Sequence, residues 1–408
     1  MNAPIKTDLK TPVNVLNKHF GENKHAYYKW LHANDPVHKG KLSIMNIMLL
    51  SRYEDCVSIL KDPRIVRNRT TATGGGRFPF PLPKSVAMMA KSMINEDDPE
   101  HRRLRTLVHK GFTPRRLAYL DERIETLTHE LLDKAEAQGT VDLIEAYALP
   151  IPVTIISEMM GVSVDDTPQF AGYMNSLATG LTGWKLLKTF FYDVPKAITF
   201  CRDLINRKKA NPGEDILTAL IEAEENGDKL TEDELIAMVF LLIVAGYETT
   251  VHLITNAVQT LLTHPEQLAL LRANPDLMDS AVEEILRYNG PILGTKLGYP
   301  VEDIVVRGVT LPKGKPIVPL LGAANFDAEV FENPYTFDIT RQNNRQLGFG
   351  QGIHYCLGAP LARMETKIAL KNLLNRNPNL KLAVDPSELK IQQIPLWHRY
   401  QNMPVTFG

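Results

Sequence analysis

The sequence carries almost no net charge: 46 Lys and Arg stand against 47 Asp and Glu. A chain so balanced has no general field with which to draw in nucleic acid or anionic lipid. Cysteine is equally scarce. Cys56, Cys201 and Cys356 are the whole supply, an odd number spread over the chain, which argues against a disulfide framework or a four-ligand zinc site. Any cysteine with a task must therefore perform it alone. Internal repeats, low-complexity tracts and charged tails are absent, and long apolar runs are too. The longest, Leu235 to Tyr247, covers thirteen residues, against the roughly 20 needed to span a bilayer, and it reads as a buried helix. The stretch Met1 to Phe20 mixes Lys, Asp, Asn and Pro with apolar residues and lacks the apolar core of a signal peptide. These absences lead us to expect a soluble, cytoplasmic protein that partners neither membrane nor nucleic acid.

What is present is a chain of 408 residues, 44% of them hydrophobic, enough for a large core, and length alone would allow two or three domains without settling the count. Helical periodicity dominates from about Ser92 to Asn289, so a mainly α fold with small β-sheets is expected. Strand patterns are short: Ser43 to Leu50, ahead of a helical Tyr53 to Leu60, then Ile304 to Val309 and Ile317 to Leu321, with Pro312-Lys313-Gly314 as a hairpin turn joining them. Thr231 and Glu234 form a capping box that opens the central apolar helix, expected to run to His264 before Pro265 opens another. Ser280 with Glu283 gives a second start signal, ahead of Ala281 to Tyr288. The stretch Thr70 to Pro83, with three consecutive glycines and alternating prolines, reads as an irregular loop.

The segment Leu347 to Arg363 holds the most chemistry, because a glycine-rich loop delivers Cys356 into a predicted helix. A thiolate there would accept backbone N–H bonds and sense the positive end of the helix, both favouring its ionised form. Gly358 leaves room for a flat group against the first turn. Three readings of the residues compete. A phosphate-binding turn needs G-x-G-x-x-G after a strand, whereas Gly348, Gly350 and Gly352 give G-x-G-x-G. A cysteine nucleophile needs a base matched in space, which the two-residue offset of His354 does not supply. An inert core cysteine is the commonest fate of a lone one.

The pattern from Phe349 to Gly358, F-G-x-G-x-H-x-C-x-G, resembles the haem-ligand loop of the cytochrome P-450 family at every fixed position. Other stretches resemble family motifs in the same order. Glu284-Ile285-Leu286-Arg287 is similar to the E-x-x-R of the K helix, with Arg341 as the arginine completing that ion network. Asp98 to Arg105, followed by Phe112-Thr113-Pro114-Arg115, is similar to the C helix. Ala245-Gly246-Tyr247-Glu248-Thr249-Thr250 is similar to the oxygen-binding A-G-x-(D/E)-T signature. The resemblance runs from about Tyr53 to the C-terminus and implies one domain over residues 1–408, the family's helical prism.

It also implies a function: a monooxygenase that inserts one atom of dioxygen into a lipophilic small molecule. Its cofactor would be heme b (iron protoporphyrin IX), with Cys356 as the metal ligand and Phe349 beside the sulfur. His101, Arg105 and His354 would hold the porphyrin carboxylates, and Ala245 would lie against the ring. Where the family commonly supplies an arginine to a carboxylate, Gly290 to Asp303 has only Lys296, a point charge rather than a planar fork. Thr249 and Glu248 would be the alcohol and acid of a proton relay to dioxygen. Phe80, Leu181, Leu241, Leu242, Ala245, Leu293 and Leu396 are nominated as substrate walls, suiting a macrolide, terpenoid, steroid or fatty acyl chain, free or presented on a carrier protein. With no fused flavin domain, electrons are expected from a ferredoxin and its reductase, for which Arg102, Arg103 and Arg345 are candidate contacts. The alternatives are a haem sensor or carrier without turnover, and a relative that couples or rearranges its substrate.

Overall fold

The computed structural model describes residues 9–76, 84–89, 91–112, 119–163, 166, 169, 172, 173, 188–225 and 227–407. Its principal helices are α1 (Lys24–Asn34), α2 (Tyr53–Lys61), α3 (Glu100–His109), α4 (Leu120–Glu136), α5 (Pro150–Met159), α6 (Val194–Ala210), α7 (Glu232–Leu262), α8 (Pro265–Ala273), α9 (Met278–Asn289) and α10 (Ala359–Arg376). The strands that matter below are β1 (Val37–Leu42), β2 (Met45–Leu50), β3 (Ile65–Val66), β4 (Thr140–Asp142), β5 (Tyr299–Pro300), β6 (Ile304–Val306), β7 (Val309–Leu311), β8 (Ile317–Pro319), β9 (Lys381–Leu382) and β10 (Pro404–Thr406). The fold is mainly α with small sheets, as the periodicity predicts. Two compact units divide it: Met1–Arg77, Thr255–Leu357 and Val384–Met403 form the first, and Phe78–Ile254, Gly358–Ala383 and Pro404–Gly408 the second.

The first unit is built on a three-stranded sheet in the order β1-β2-β8. β1 and β2 are antiparallel, Val37 opposite Leu50 and Leu42 opposite Met45. The predicted strand Ser43 to Leu50 thus starts two residues later, because Ser43 turns the hairpin with a left-handed φ of 58°. Side chains alternate across β2. Ile47 and Leu49 pack with Val13, Val15, Phe20 and Leu31, whereas Met48 and Leu50 pack with Tyr53, Cys56, Ile59 and Leu347. The later hairpin differs from expectation. Arg307 (φ 48°) and Gly308 (φ 78°) make its turn, the two-residue left-handed pair that suits tight hairpins, and β6 pairs with β7 around it. β8, expected to pair across Pro312–Gly314, instead joins β2 in parallel with Ile317 opposite Met48. α9 begins at Met278 rather than behind Ser280, because the 3₁₀ turn Pro275–Leu277 leads straight into it. Residues 69–73 form a short helix closed by Gly74, so the predicted loop begins later, and its 77–83 portion lies outside the described residues.

In the second unit the expected capping box is present: Thr231 N–H donates to Glu234 Oε2 at 2.8 Å and Glu234 N–H to Thr231 Oγ1 at 3.4 Å. α7 runs 31 residues from there, its last eight counted with the first unit. By length and composition it could cross a bilayer, but 67% of its most apolar window is buried inside the protein, as in a core helix. Gly246 matters to that packing. A Cβ there would lie 3.2 Å from Ile156 Cδ1 of α5, so the glycine lets the two helices approach closely. α3 is tied to the head of α7 by Arg103, which pairs with Glu100, Asp228 and Glu234. α4 and α10 are joined by Asn372 Nδ2 donating to Thr128 Oγ1 (2.7 Å) and by Arg376 with Asp133 (2.7 Å). A second small sheet, β9-β10-β4, completes the unit.

Candidate functional site

Of the three thiols, two are sealed in cores. Burial raises Cys56 far above the ordinary thiol range and lifts Cys201 to about 12, so both stay protonated and inert. Cys356 alone keeps partial access. Its loop is shaped by backbone bonds: Gly350 N–H donates to the Leu347 carbonyl (2.8 Å), Tyr355 N–H to Gly352 (3.1 Å), and Cys356 N–H to Phe349 (3.0 Å). The last bond joins the main chains of Phe349 and Cys356. Gly350 and Gly352 have left-handed φ values of 71° and 74°, which L side chains rarely adopt. A Cβ on Gly352 would also run into the Leu60 carbonyl. The G-x-G-x-G spacing is thus the requirement of a loop that presents one thiol. His354 ends a 3₁₀ turn, Gly352–His354, two residues before it.

Glu284, Arg287 and Arg341 form the predicted network. Both charges of the E-x-x-R motif are fully buried, Arg287 Nε lies 2.7 Å from Glu284 Oε2 and Arg341 Nε 3.0 Å from the same oxygen. Arg287 also donates to the carbonyls of Asn325 (2.9 Å), Pro334 (2.8 Å) and Thr336 (3.1 Å). It is therefore no solvated surface pair; it staples α9 to the meander that leads into the cysteine loop. In the same unit Lys296 keeps an exposed surface, yet crowding of its ammonium by the surrounding chain, with the Arg67 guanidinium close by, pulls its pKa down to about 8. Arg67 Nη1 donates to the Lys296 carbonyl. Nothing in the sequence pattern marked Arg67, because its neighbour is set by strand pairing across more than two hundred residues.

In the second unit His101 is 2% exposed. Burial first, and then the Arg105 guanidinium beside it, lower its pKa, so it is a neutral donor where Arg105 is a charged one. The i, i+4 pair is brought together as predicted. On α7, Leu241, Ala245 and Thr249 keep accessible surface, whereas Leu242 is 8% exposed and Glu248 also 8%. Thr249 Oγ1 donates to the Ala245 carbonyl at 2.9 Å, the i−4 bond that Thr makes inside a helix. Sequence reasoning missed Glu365 on α10. It is 1% exposed, its Oε2 has no hydrogen-bond partner among the described residues, and burial lifts its pKa to about 8 against the opposing hydrogen bond from Thr250. The signal available was an acid on the buried side of a helix, between Met364 and Thr366.

Leu293 and Leu396 are brought together. Leu293 N–H donates to the Leu396 carbonyl at 2.7 Å, and both line a cleft with Val15, Phe20, Ile394 and Trp397. Leu396 holds a left-handed φ of 63°, an outlier for a bulky residue. Phe80, Leu181 and the Thr113–Arg115 continuation of α3 lie outside the described residues. Arg103 is committed to its three carboxylates and drops out as a partner contact. Arg102, with a side chain 79% exposed although paired with Asp98, and the exposed Arg345 stay accessible.

The profile of the Cytochrome P450 family matches residues 10–386, beginning well before the motifs that first suggested it. The chain is 40% identical over 400 residues to Cytochrome P450 107B1 of Saccharopolyspora erythraea, covering 95% of this chain and 96% of that one. Among solved structures, the cytochrome P450 PksS of the Bacillus subtilis 168 bacillaene polyketide synthase matches with a TM-score of 0.90 at 34% identity, covering 97% of this chain and 99% of that one. P450BioI, solved in complex with an acyl carrier protein ligated to hexadec-9Z-enoic acid, matches with a TM-score of 0.86 at 36% identity, covering 95% and 99%. The chain belongs to the cytochrome P450 family. It is a haem-dependent monooxygenase, an oxidoreductase whose cofactor is iron protoporphyrin IX. The residues present fit that group: one accessible thiol on a rigid loop, open space at Gly358 where a Cβ would meet nothing within 4 Å, and basic side chains of the kind porphyrin carboxylates need.

Proposed function

We propose that Cys356 is the thiolate that would hold the haem iron and that the enzyme hydroxylates or epoxidises a lipophilic molecule of macrolide, terpenoid, steroid or fatty acyl type. The observation that carries this is the single accessible thiol, on a loop whose left-handed turns at Gly350 and Gly352 suit glycine. Bound haem supplies the dioxygen chemistry, with the thiolate pushing electron density toward the iron. The protein does the rest. Cys356 is held by its backbone bond to Phe349, while His101, Arg105, His354 and Lys296 hold carboxylates. Ala245 offers the porphyrin a small side chain. Thr249 offers a hydroxyl oxygen on the accessible side of α7, and Glu248 passes protons to it. Glu365, lifted by burial to a pKa of about 8, keeps a further proton in the same unit.

The apolar side chains at Leu241, Leu242, Ala245, Leu293 and Leu396 support a lipophilic substrate and would exclude water around it; Phe80 and Leu181 remain nominated from the sequence alone. Electrons would come from a ferredoxin and its reductase, and Arg345 with the exposed Ile353 and Tyr355 beside the cysteine supports a docking surface there. We place the enzyme in the cytoplasm, and read residues 1–408 as one domain because the family profile runs through 10–386. A second reading, that the substrate is an acyl chain delivered on a carrier protein, is favoured by the likeness to P450BioI with its acyl carrier protein. The ferric visible spectrum, titrated with free lipophilic compounds and with an acyl-loaded carrier protein, tests both. A low-to-high-spin shift with free compounds supports the first, a shift with the loaded carrier alone supports the second, and no shift with either contradicts the substrate class.

A further inference from the structure

Lys24, the first residue of α1, is 8% exposed and reaches the last turn of α9, where its Nζ donates to Asn289 Oδ1 at 3.0 Å. That amide is fixed in orientation, because its Nδ2 donates to Thr260 Oγ1 (3.0 Å) and Gln259 Oε1 (3.2 Å). A cation belongs at a helix C-terminus, but this bond uses only one of three ammonium protons. Among the described residues no carboxylate pairs with Lys24, and burial pulls its pKa down to about 7. The surroundings add positive charge instead of offsetting it. The neighbouring His25 is pulled down to about 3, first by burial and then by Lys24, Lys29 and Arg287. In the trio nearby, a single Glu284 answers both Arg287 and Arg341.

Beside Lys24 lies a small cavity within the first unit, with room for about one water-sized particle. Its walls include Lys24, Tyr28, Arg287, Leu293, Gly322 and Phe326. Tyr28 is 1% exposed, and its hydroxyl has no hydrogen-bond partner among the described residues. That hydroxyl stands against the Gly322 wall, since a Cβ on Gly322 would lie 2.5 Å from Tyr28 Oη. A buried ammonium without a counter-charge and a buried hydroxyl without a partner are both costly, and here both border the same space.

We propose that this cavity binds one small monovalent anion of the chloride class, held between the Lys24 ammonium and the Tyr28 hydroxyl and fastening α1 to the end of α9. The ammonium supplies charge and protons, the hydroxyl a further donor, and the size of the space excludes sulfate and organic carboxylates. Water is the other occupant small enough, but it brings no charge to offset the ammonium. The site is independent of the haem-binding reading above.

The test uses the haem-loaded protein. Crystals grown with bromide in place of chloride are expected to show an anomalous peak between Lys24 Nζ and Tyr28 Oη. In solution, the melting temperature is followed as chloride replaces gluconate, an anion too large for the cavity, at constant ionic strength. The wild-type melt should rise by about two degrees. Lys24→Met should not respond, and Tyr28→Phe, which keeps the charge and loses one donor, should respond less. Where Lys24→Met fails to fold, the bromide map and Tyr28→Phe decide. A cavity that holds water and gives no anomalous peak overturns the site. A peak without a chloride response in solution is binding at crystal concentration only and overturns it too, as does a response that either variant retains in full.

Discussion

The proposed proton roles fall on single residues, and two of them make separable claims. Thr249 lies on the accessible side of α7 with its hydroxyl bonded to the Ala245 carbonyl, so removing that hydroxyl should cost the fold less than about 1 kcal/mol. Thr249→Ala is expected to keep its haem and to consume NADPH with a surrogate ferredoxin system. The fraction of electrons reaching product should fall severalfold, the balance appearing as peroxide or water; unchanged coupling would remove the assigned role. Glu365 makes a claim about stability. Its folded pKa of about 8 stands above the ordinary carboxyl value of 4.5, so between those limits the folded state holds a proton that the unfolded chain releases. Stability therefore falls as pH rises from about 4.5 to 8. Glu365→Gln should flatten that slope, with its greatest relative gain above pH 8, as denaturant melts across the range would show. Neither Glu365 nor Arg67 was legible in the sequence, because each acquires its meaning from a neighbour supplied by another element.

At the scale of elements, the Glu284–Arg287–Arg341 network holds α9 to the meander before the cysteine loop, buried and with its donors spent on three carbonyls. Removing one partner strands the other charge in the core, a loss of roughly 3–5 kcal/mol. Glu284→Gln is expected to lower the melting temperature by roughly four to six degrees and to reduce the haem-loaded yield; a melt within a degree of wild type would show the network to be dispensable. The charge spacing was readable in the sequence, but its burial was not. Helices were legible wherever caps and periodicity agreed, as at Thr231 and Glu234 for α7. They misled where the lead-in was itself helical, as at Ser280. Strands were harder. β1 has the unpromising sequence VHKGKL and is held by pairing on both sides, with Lys41 N–H donating to the Val13 carbonyl at 2.8 Å. The Arg307–Gly308 turn hid inside a run of valines, while Pro312–Gly314 looked like the better turn. Short strands take their partners from the tertiary fold, and no local pattern records which partner is chosen.

For the whole molecule the near-zero net charge has a consequence for electron supply. Without a strong long-range field, the redox partner proposed above would have to recognise a local surface, and we propose for it the exposed Ile353 (44%) and Tyr355 (37%) beside the cysteine. Every element of this reading still depends on one bond, between the Cys356 sulfur and the haem iron. The spectrum of the reduced protein under carbon monoxide tests it directly, in wild type and in Cys356→His. The account predicts a thiolate-type band in wild type that is abolished in the variant, while variants of Cys56 and Cys201 that fold retain it. A thiolate-type band surviving in Cys356→His would contradict the assignment at its centre.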